Sequence, residues 1–278
     1  MNAVSLILNR LTVGYGEKAV LTDLDARVGP GGFVCVLGRN GSGKSTLLRT
    51  VAGLQSALVG HVRLGDAAVG PMPPAERARR IAVVLTEQAH SPGLTVDDVV
   101  ALGRQPFTDW RGRLSAEDHA AVRAAFDLAG ATPFVGRLFD DLSDGERQRV
   151  MIARAIAQQP ALMVLDEITA FLDLPGRVEV MALLRRHARE TGTVVLLSSH
   201  DLDLSLQLAD AVWLLADGAL RVGTPDELIE QGAVGRAFDT ADVAFSAERG
   251  RFELRQAAHT SSSGSSSGSG LEPGRASS

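Results

Sequence analysis

Gly38-Arg39-Asn40-Gly41-Ser42-Gly43-Lys44-Ser45 is the stretch whose reading decides the fold. It fits the phosphate-loop pattern G-x-x-x-x-G-K-[ST], and its flanks are the ones that pattern needs. Phe33 to Leu37 is a continuous apolar run with β-branched residues, which predicts a buried strand. Thr46 to Gly53 reads as a helix ended by glycine. Strand, glycine loop and helix together aim backbone N–H groups and a helix N-terminus at one spot, which suits a polyphosphate. Lys44 would reach the β- and γ-phosphates, and Ser45 would hold Mg²⁺. A glycine-rich turn that matches by chance is the plain alternative, and the flanking strand and helix argue against it.

Upstream, Ser5 to Val13 and Val20 to Val28 read as strands around the turn Gly14-Tyr15-Gly16. Tyr15 is either a core or turn aromatic or, near a nucleotide, a ring that stacks on a base. Downstream, Gly60–Leu64 and Ile81–Leu85 read as strands and Pro74–Arg79 as a short helix. The character then turns helical over Val96–Gly103 and Ala116–Ala129, so Glu87 to about Asp141 reads as an insertion into the α/β core. Ser143-Asp144-Gly145 opens a helical run over Glu146–Gln158, as an ordinary cap or as a second anion site.

Ala161–Leu165 is a buried strand that ends in Asp166-Glu167. In a phosphate-loop protein Asp166 can bind Mg²⁺, and Glu167 can polarise an attacking water. Thr193–Leu197 is another buried strand, ending in Ser198-Ser199-His200. A lone His at a strand end is often structural, but parallel sheets place their chemistry at that edge, beside Glu167. A helix over Gly176–Arg189, a hairpin over Val212–Val222, a capping box at Thr224–Glu227 and a short strand at Phe252–Leu254 complete the pattern.

The 278 residues, 45% hydrophobic with net charge -5, suffice for one large α/β domain or two small ones. No basic run favours nucleic acid, and no window approaches the roughly 18 apolar residues of a membrane span. The N-terminus lacks the pattern of a signal peptide. Cys35 is the single cysteine and, among apolar neighbours, reads as a buried inert thiol. A soluble cytosolic protein is the expectation.

Phosphate loop, Leu-Ser-x-Gly helix start, Asp-Glu strand end and late His occur in the order of the ATP-binding cassette (ABC) family, which the chain resembles to about Arg255. The resemblance implies an α/β fold: a P-loop NTPase-type parallel sheet, an N-terminal antiparallel β region and an inserted α-helical subdomain. One ATPase domain would span residues 1–256, with the helical subdomain at about 87–158 and a flexible Ser/Gly-rich tail at 257–278. It implies ATP and Mg²⁺ as ligands. Tyr15 matches the adenine-stacking aromatic, and Gly38, Arg39, Asn40, Gly41, Ser42, Gly43, Lys44, Ser45 and Thr46 the Walker A loop. Ser143, Asp144 and Gly145 match the signature loop that contacts the γ-phosphate held by a partner subunit. Asp166 and Glu167 match the Walker B aspartate and catalytic glutamate, Asp173 the D-loop acid, and His200 the switch histidine.

The chain departs from the family pattern at three places. Ile168 stands where the family has proline. Asp144 replaces the second signature glycine and, ionised, opposes γ-phosphate binding unless it points away. Thr86 falls at the family's Q-loop glutamine, with Gln88 two residues later. Either Gln88 reaches the metal through a shifted loop, or the metal and permease contacts differ from the usual ones. A narrower likeness, Leu94 to Pro106 and Leu114 to Asp118, resembles ATPases serving ferric-siderophore, haem and cobalamin permeases. The family resemblance implies a head-to-tail homodimer, because each site needs the partner's Ser143 loop, and the narrower likeness implies a place at the cytoplasmic face of a membrane. Its partners would be transmembrane permease subunits and, through them, a periplasmic or lipoprotein substrate-binding protein, with no nucleic acid.

Overall fold

A computed structural model describes residues 4–85 and 93–255. Thr86, Gln88 and the 257–278 tail therefore lie outside the described residues. The chain opens with β1 (Leu6–Tyr15) and β2 (Lys18–Val28), antiparallel about a turn at Gly16. It continues through β3 (Phe33–Gly38), α1 (Lys44–Val51), β4 (Val59–Leu64), the two-residue β5 (Ala67–Ala68), α2 (Pro74–Arg80) and β6 (Ile81–Val84). Strands β2, β1, β4 and β5 form a four-stranded antiparallel sheet, in that order.

The second sheet carries the chemistry. After β6 come the helices α3 (Val96–Ala101), α4 (Ala116–Ala129) and α5 (Asp144–Ala157), then β7 (Leu162–Asp166), α6 (Leu174–Thr191), β8 (Val194–Ser198), α7 (Leu202–Leu208), β9 (Ala211–Ala216) and β10 (Ala219–Gly223). The sheet order is β10-β9-β3-β8-β7-β6, parallel except for the β9–β10 hairpin. Both faces of its five parallel strands are covered, so these run apolar almost to their carboxyl ends rather than alternating, while the edge strand β10 is largely exposed. In β3, Val34 and Val36 pack with Leu47, Leu48 and the N-terminal sheet, while Phe33, Cys35 and Leu37 pack with the helices on the other face. Burial pushes the Cys35 thiol up to about 12, which leaves it inert at neutral pH.

The helices between β6 and β7 share their core with the sheet: Val96, Val99, Ala125, Phe126, Val150 and Ile156 are buried with Ala82 and Leu165. A 3₁₀ turn over Leu102–Phe107 holds Arg104, which is buried. Its guanidinium donates to Asp118 Oδ1 at 2.8 Å, the Ala157 carbonyl at 2.9 Å and Gln159 Oε1 at 3.1 Å, and it stacks on Phe107. One buried cation thus joins three segments, and removal of a partner from such a pair costs about 3–5 kcal/mol.

Helix starts fall where caps allow. α5 begins at Asp144, two residues ahead of the periodic run, because Ser143 caps it. α6 begins at Leu174 rather than Gly176, because Asp173 Oδ1 accepts from Gly176 N at 3.0 Å. The chain closes with α8 (Pro225–Glu230), α9 (Ala233–Phe238) and the hairpin β11 (Val243–Ser246) and β12 (Arg251–Leu254), whose Phe245 and Phe252 rings meet edge to face. Among the described residues no helix is long and apolar enough to cross a membrane.

Candidate functional site

Adjacent parallel strands β3, β8 and β7 deliver the phosphate loop, Ser199-His200 and Asp166-Glu167 to one carboxyl edge. Beside that edge lies a cavity of about 370 Å³. Tyr15 forms one wall, Asn40, Gly41 and Gly43 another, and Lys44, Ser45, Thr46 and Glu167 also line it.

The loop conformation depends on its glycines. Gly43 has φ +96°, and a Cβ there would lie 2.9 Å from Val20 Cγ1, so strain and crowding both exclude a side chain. A Cβ on Gly38 would meet Ser42 Oγ at 2.5 Å and the Leu215 carbonyl at 2.8 Å. Helix α1 has neither a side-chain cap nor an acid in its first turn, which leaves its N–H groups for a ligand. Ser42 Oγ is buried without a hydrogen-bond partner among the described residues, an orphan that a phosphate oxygen would satisfy. Lys44 is buried and donates from Nζ to the Gly38 carbonyl at 2.9 Å. Burial pulls its pKa below the usual lysine value, and the carboxylates of Glu167 and Asp166 oppose that shift.

Asp166 is buried, and Ser198 Oγ donates to its Oδ1 at 2.5 Å. Glu167 takes a left-handed φ of +54°, unusual for a non-glycine residue, and its N–H donates to Ser198 Oγ at 2.9 Å. Glu167 Oε1 lies 2.6 Å from His200 Nε2; a carboxylate oxygen accepts, so the proton is assigned to Nε2. Tyr15 is 54% exposed, and its OH accepts from Thr46 Oγ1 at 3.0 Å, which fixes the ring beside the loop with its face open. Its exposure rules out the core alternative and leaves the turn and base-stacking ones.

Ser143, Asp144 and Gly145 are not among the residues that line this cavity. Ser143 and Glu146 form a reciprocal capping box: Ser143 N and Oγ donate to Glu146 Oε2 at 2.8 and 2.9 Å. Arg137 donates to the other Glu146 oxygen at 2.8 Å. The Ser143 backbone bond, then Arg137, then the Ser143 hydroxyl lower the Glu146 carboxyl to about 2. Asp144 is half exposed, with Oδ1 3.6 Å from Arg147 Nη1, so its charge is turned toward its own helix. Asp173 is engaged as the α6 cap, and Ile168 is core.

Among the described residues no cluster of three or more His, Cys, Asp or Glu gathers to hold a metal. The donors at the edge are instead oxygens, the Ser45 hydroxyl and the Asp166 carboxylate, which suit a hard cation that keeps waters and phosphate oxygens as its other ligands. Sequence reasoning missed Ser198. Its only signal is a polar residue that ends an apolar strand immediately before Ser199-His200.

An open phosphate loop, an acid pair and a histidine at one carboxyl edge, with Glu167 both lining the loop's cavity and bonded to His200, define a P-loop ATPase. The ABC transporter family pattern matches residues 21–170, and the chain belongs to that family. It is 37% identical to the ferric enterobactin transport ATP-binding protein of Escherichia coli, over 82% of this chain and 85% of that one. It is 36% identical to the hemin import ATP-binding protein of Bordetella pertussis, over 86% of this chain and 94% of that one. A solved ATP-binding cassette, dimeric in a post-hydrolysis state with ADP and phosphate, superposes with a TM-score of 0.68. Its identity is 27%, over 79% of this chain and 98% of that one.

Proposed function

We propose that the chain is the ATP-hydrolysing subunit of a membrane importer and couples ATP turnover to uptake of an iron chelate through a separate permease. The observation that carries the reading is the Glu167–His200 pair set opposite Lys44 and the open α1 start. Relatives named for ferric enterobactin and hemin support the substrate class, a ferric siderophore or haem, with cobalamin a more distant member.

In this reading Glu167 orients water for in-line attack on the γ-phosphate and accepts its proton. His200 holds the Glu167 carboxylate in place and senses the γ-phosphate. Lys44 and the loop N–H groups from Gly38 to Thr46 bind the phosphates, and Tyr15 stacks on the adenine. Ser45 and Asp166 are the oxygens that fit Mg²⁺, which when bound neutralises phosphate charge; Gln88, outside the described residues, is the third candidate. The Ser143–Gly145 loop and Asp173 act on the nucleotide of a second copy of the chain. The ATPase domain comprises residues 1–256, and it meets the membrane through the permease.

Two measurements test this. Glu167→Gln should keep ATP binding and lower hydrolysis about 10²–10⁴-fold, the usual worth of a general base; undiminished hydrolysis would refute the assignment. Co-purification of the tagged full chain from its native membrane should recover a polytopic permease. Ribosomes or DNA-repair proteins in its place would refute the importer.

A further inference from the structure

Ser198 is the buried group that the proposed chemistry does not yet use. It ends β8, the strand between β3 and β7, with Val36 and Asp166 as its Cα partners on either side, and it is fully buried. Its hydroxyl has one proton and two lone pairs. The Glu167 amide can only donate, so Oγ must accept there at 2.9 Å. The single proton is thereby free for Asp166 Oδ1, at 2.5 Å. One hydroxyl therefore clamps two neighbours whose tasks differ. On Asp166 it holds Oδ1 and so fixes the rotamer of the carboxylate assigned above to the metal. On Glu167 it anchors an amide in the left-handed region that a non-glycine residue holds only when its surroundings fix it.

We propose that Ser198 is the positioning residue of the site: through Asp166 it sets metal affinity, and through the Glu167 backbone it sets the aim of the water-activating carboxylate. This rests on the assignment of Asp166 and Glu167 above. Ser199, the next residue, makes a different bond, its Oγ accepting from Asp201 N at 3.0 Å, which makes it the matched control.

The test uses the full chain loaded with a non-hydrolysable ATP analogue, with Mn²⁺ affinity read by electron paramagnetic resonance and hydrolysis measured separately with ATP. Ser198→Ala should weaken Mn²⁺ binding about 10- to 100-fold, the usual effect of losing a group that orients a metal ligand. Its kcat should fall by a similar factor, with analogue affinity in the absence of metal unchanged. Ser198→Thr, which keeps the hydroxyl, should restore both, and Ser199→Ala should leave Mn²⁺ affinity unchanged. Wild-type Mn²⁺ affinity in Ser198→Ala would overturn the proposal, as would an equal loss in Ser199→Ala. Should Ser198→Ala fail to fold, Ser198→Thr decides: metal affinity near wild type supports the clamp, and a loss with intact metal-free analogue binding overturns it. Glu167→Gln run in parallel separates the two readings, since normal hydrolysis there defeats the catalytic assignment whatever Ser198 does.

Discussion

Helices α1 and α5 both present their N-termini at positions that the ABC resemblance assigns to phosphate, yet the two starts are built in opposite ways. At α1 the N-cap is Gly43, no side chain caps the helix, no acid lies in the first turn, and Ser42 Oγ is left without a partner. At α5 the cap is Ser143, the first turn carries Asp144 and Glu146, and Glu146 satisfies the free N–H of Ser143 while Arg137 balances its charge. An open start is incomplete without its ligand. A closed one is stable alone and meets a ligand only through what its cap leaves outward. Under the proposed function the chain would bind its own nucleotide with an incomplete helix end and offer a second copy a finished one.

Mutations should break this contrast by different amounts. The largest effect belongs to Lys44→Ala at the open start, which should lower ATP hydrolysis about 10²–10³-fold or more, the scale of losing one donor to developing charge. A stopped-flow or coupled assay reads it, and thermal stability should hardly move. Gly43→Ala comes next: forcing a Cβ into the positive-φ position should cost about 1–3 kcal/mol and weaken ATP binding, seen together by urea melts and fluorescent-nucleotide titration.

At the closed start the sign reverses, with stability affected first. Glu146→Gln should cost about 1 kcal/mol at pH 7, the usual worth of a cap. The Glu146 carboxyl is depressed in the folded state, from an ordinary 4.5 to about 2. Its contribution is therefore full above pH 4.5 and fades as pH falls toward 2. The urea-midpoint gap between wild type and variant should accordingly hold steady from pH 7 to about 4.5 and narrow as pH falls further toward 2; a gap that widened there would show that the cap is not held by charge. Smallest of all, Asp144→Asn should shift stability by less than about 0.5 kcal/mol, since its partner Arg147 is a surface ion pair.

Much of the sheet was legible because strands buried on both faces are written as unbroken apolar runs: Phe33 to Leu37, Ala161 to Leu165 and Thr193 to Leu197 each became one. Glu167 and His200 were legible as partners because parallel strands bring their ends to one edge. Other features carried no such signal. Helix α7 follows His200-Asp201 over only seven residues, too short for a period to stand out. The pairing of Arg104 with Asp118 joins a 3₁₀ turn to the next helix, and nothing in their spacing of 14 residues marks either as buried. Strand β11 was missed because its four residues are only half buried and gain their meaning from Phe252 opposite. Ser198 reads as the plain end of a strand, because a hydroxyl that bridges a carboxylate and a backbone amide looks like any other serine until both neighbours are placed.

Cys35 is the one cysteine in all 278 residues, and its thiol is sealed in the core with a pKa near 12. The natural chain is thus already silent toward maleimide and nitroxide reagents. A cysteine introduced at an exposed position, such as in the segment just before α5, would be the only reactive thiol present. Spin or fluorescent labels on that one position can therefore follow the approach of two copies, with the native Cys35 left in place.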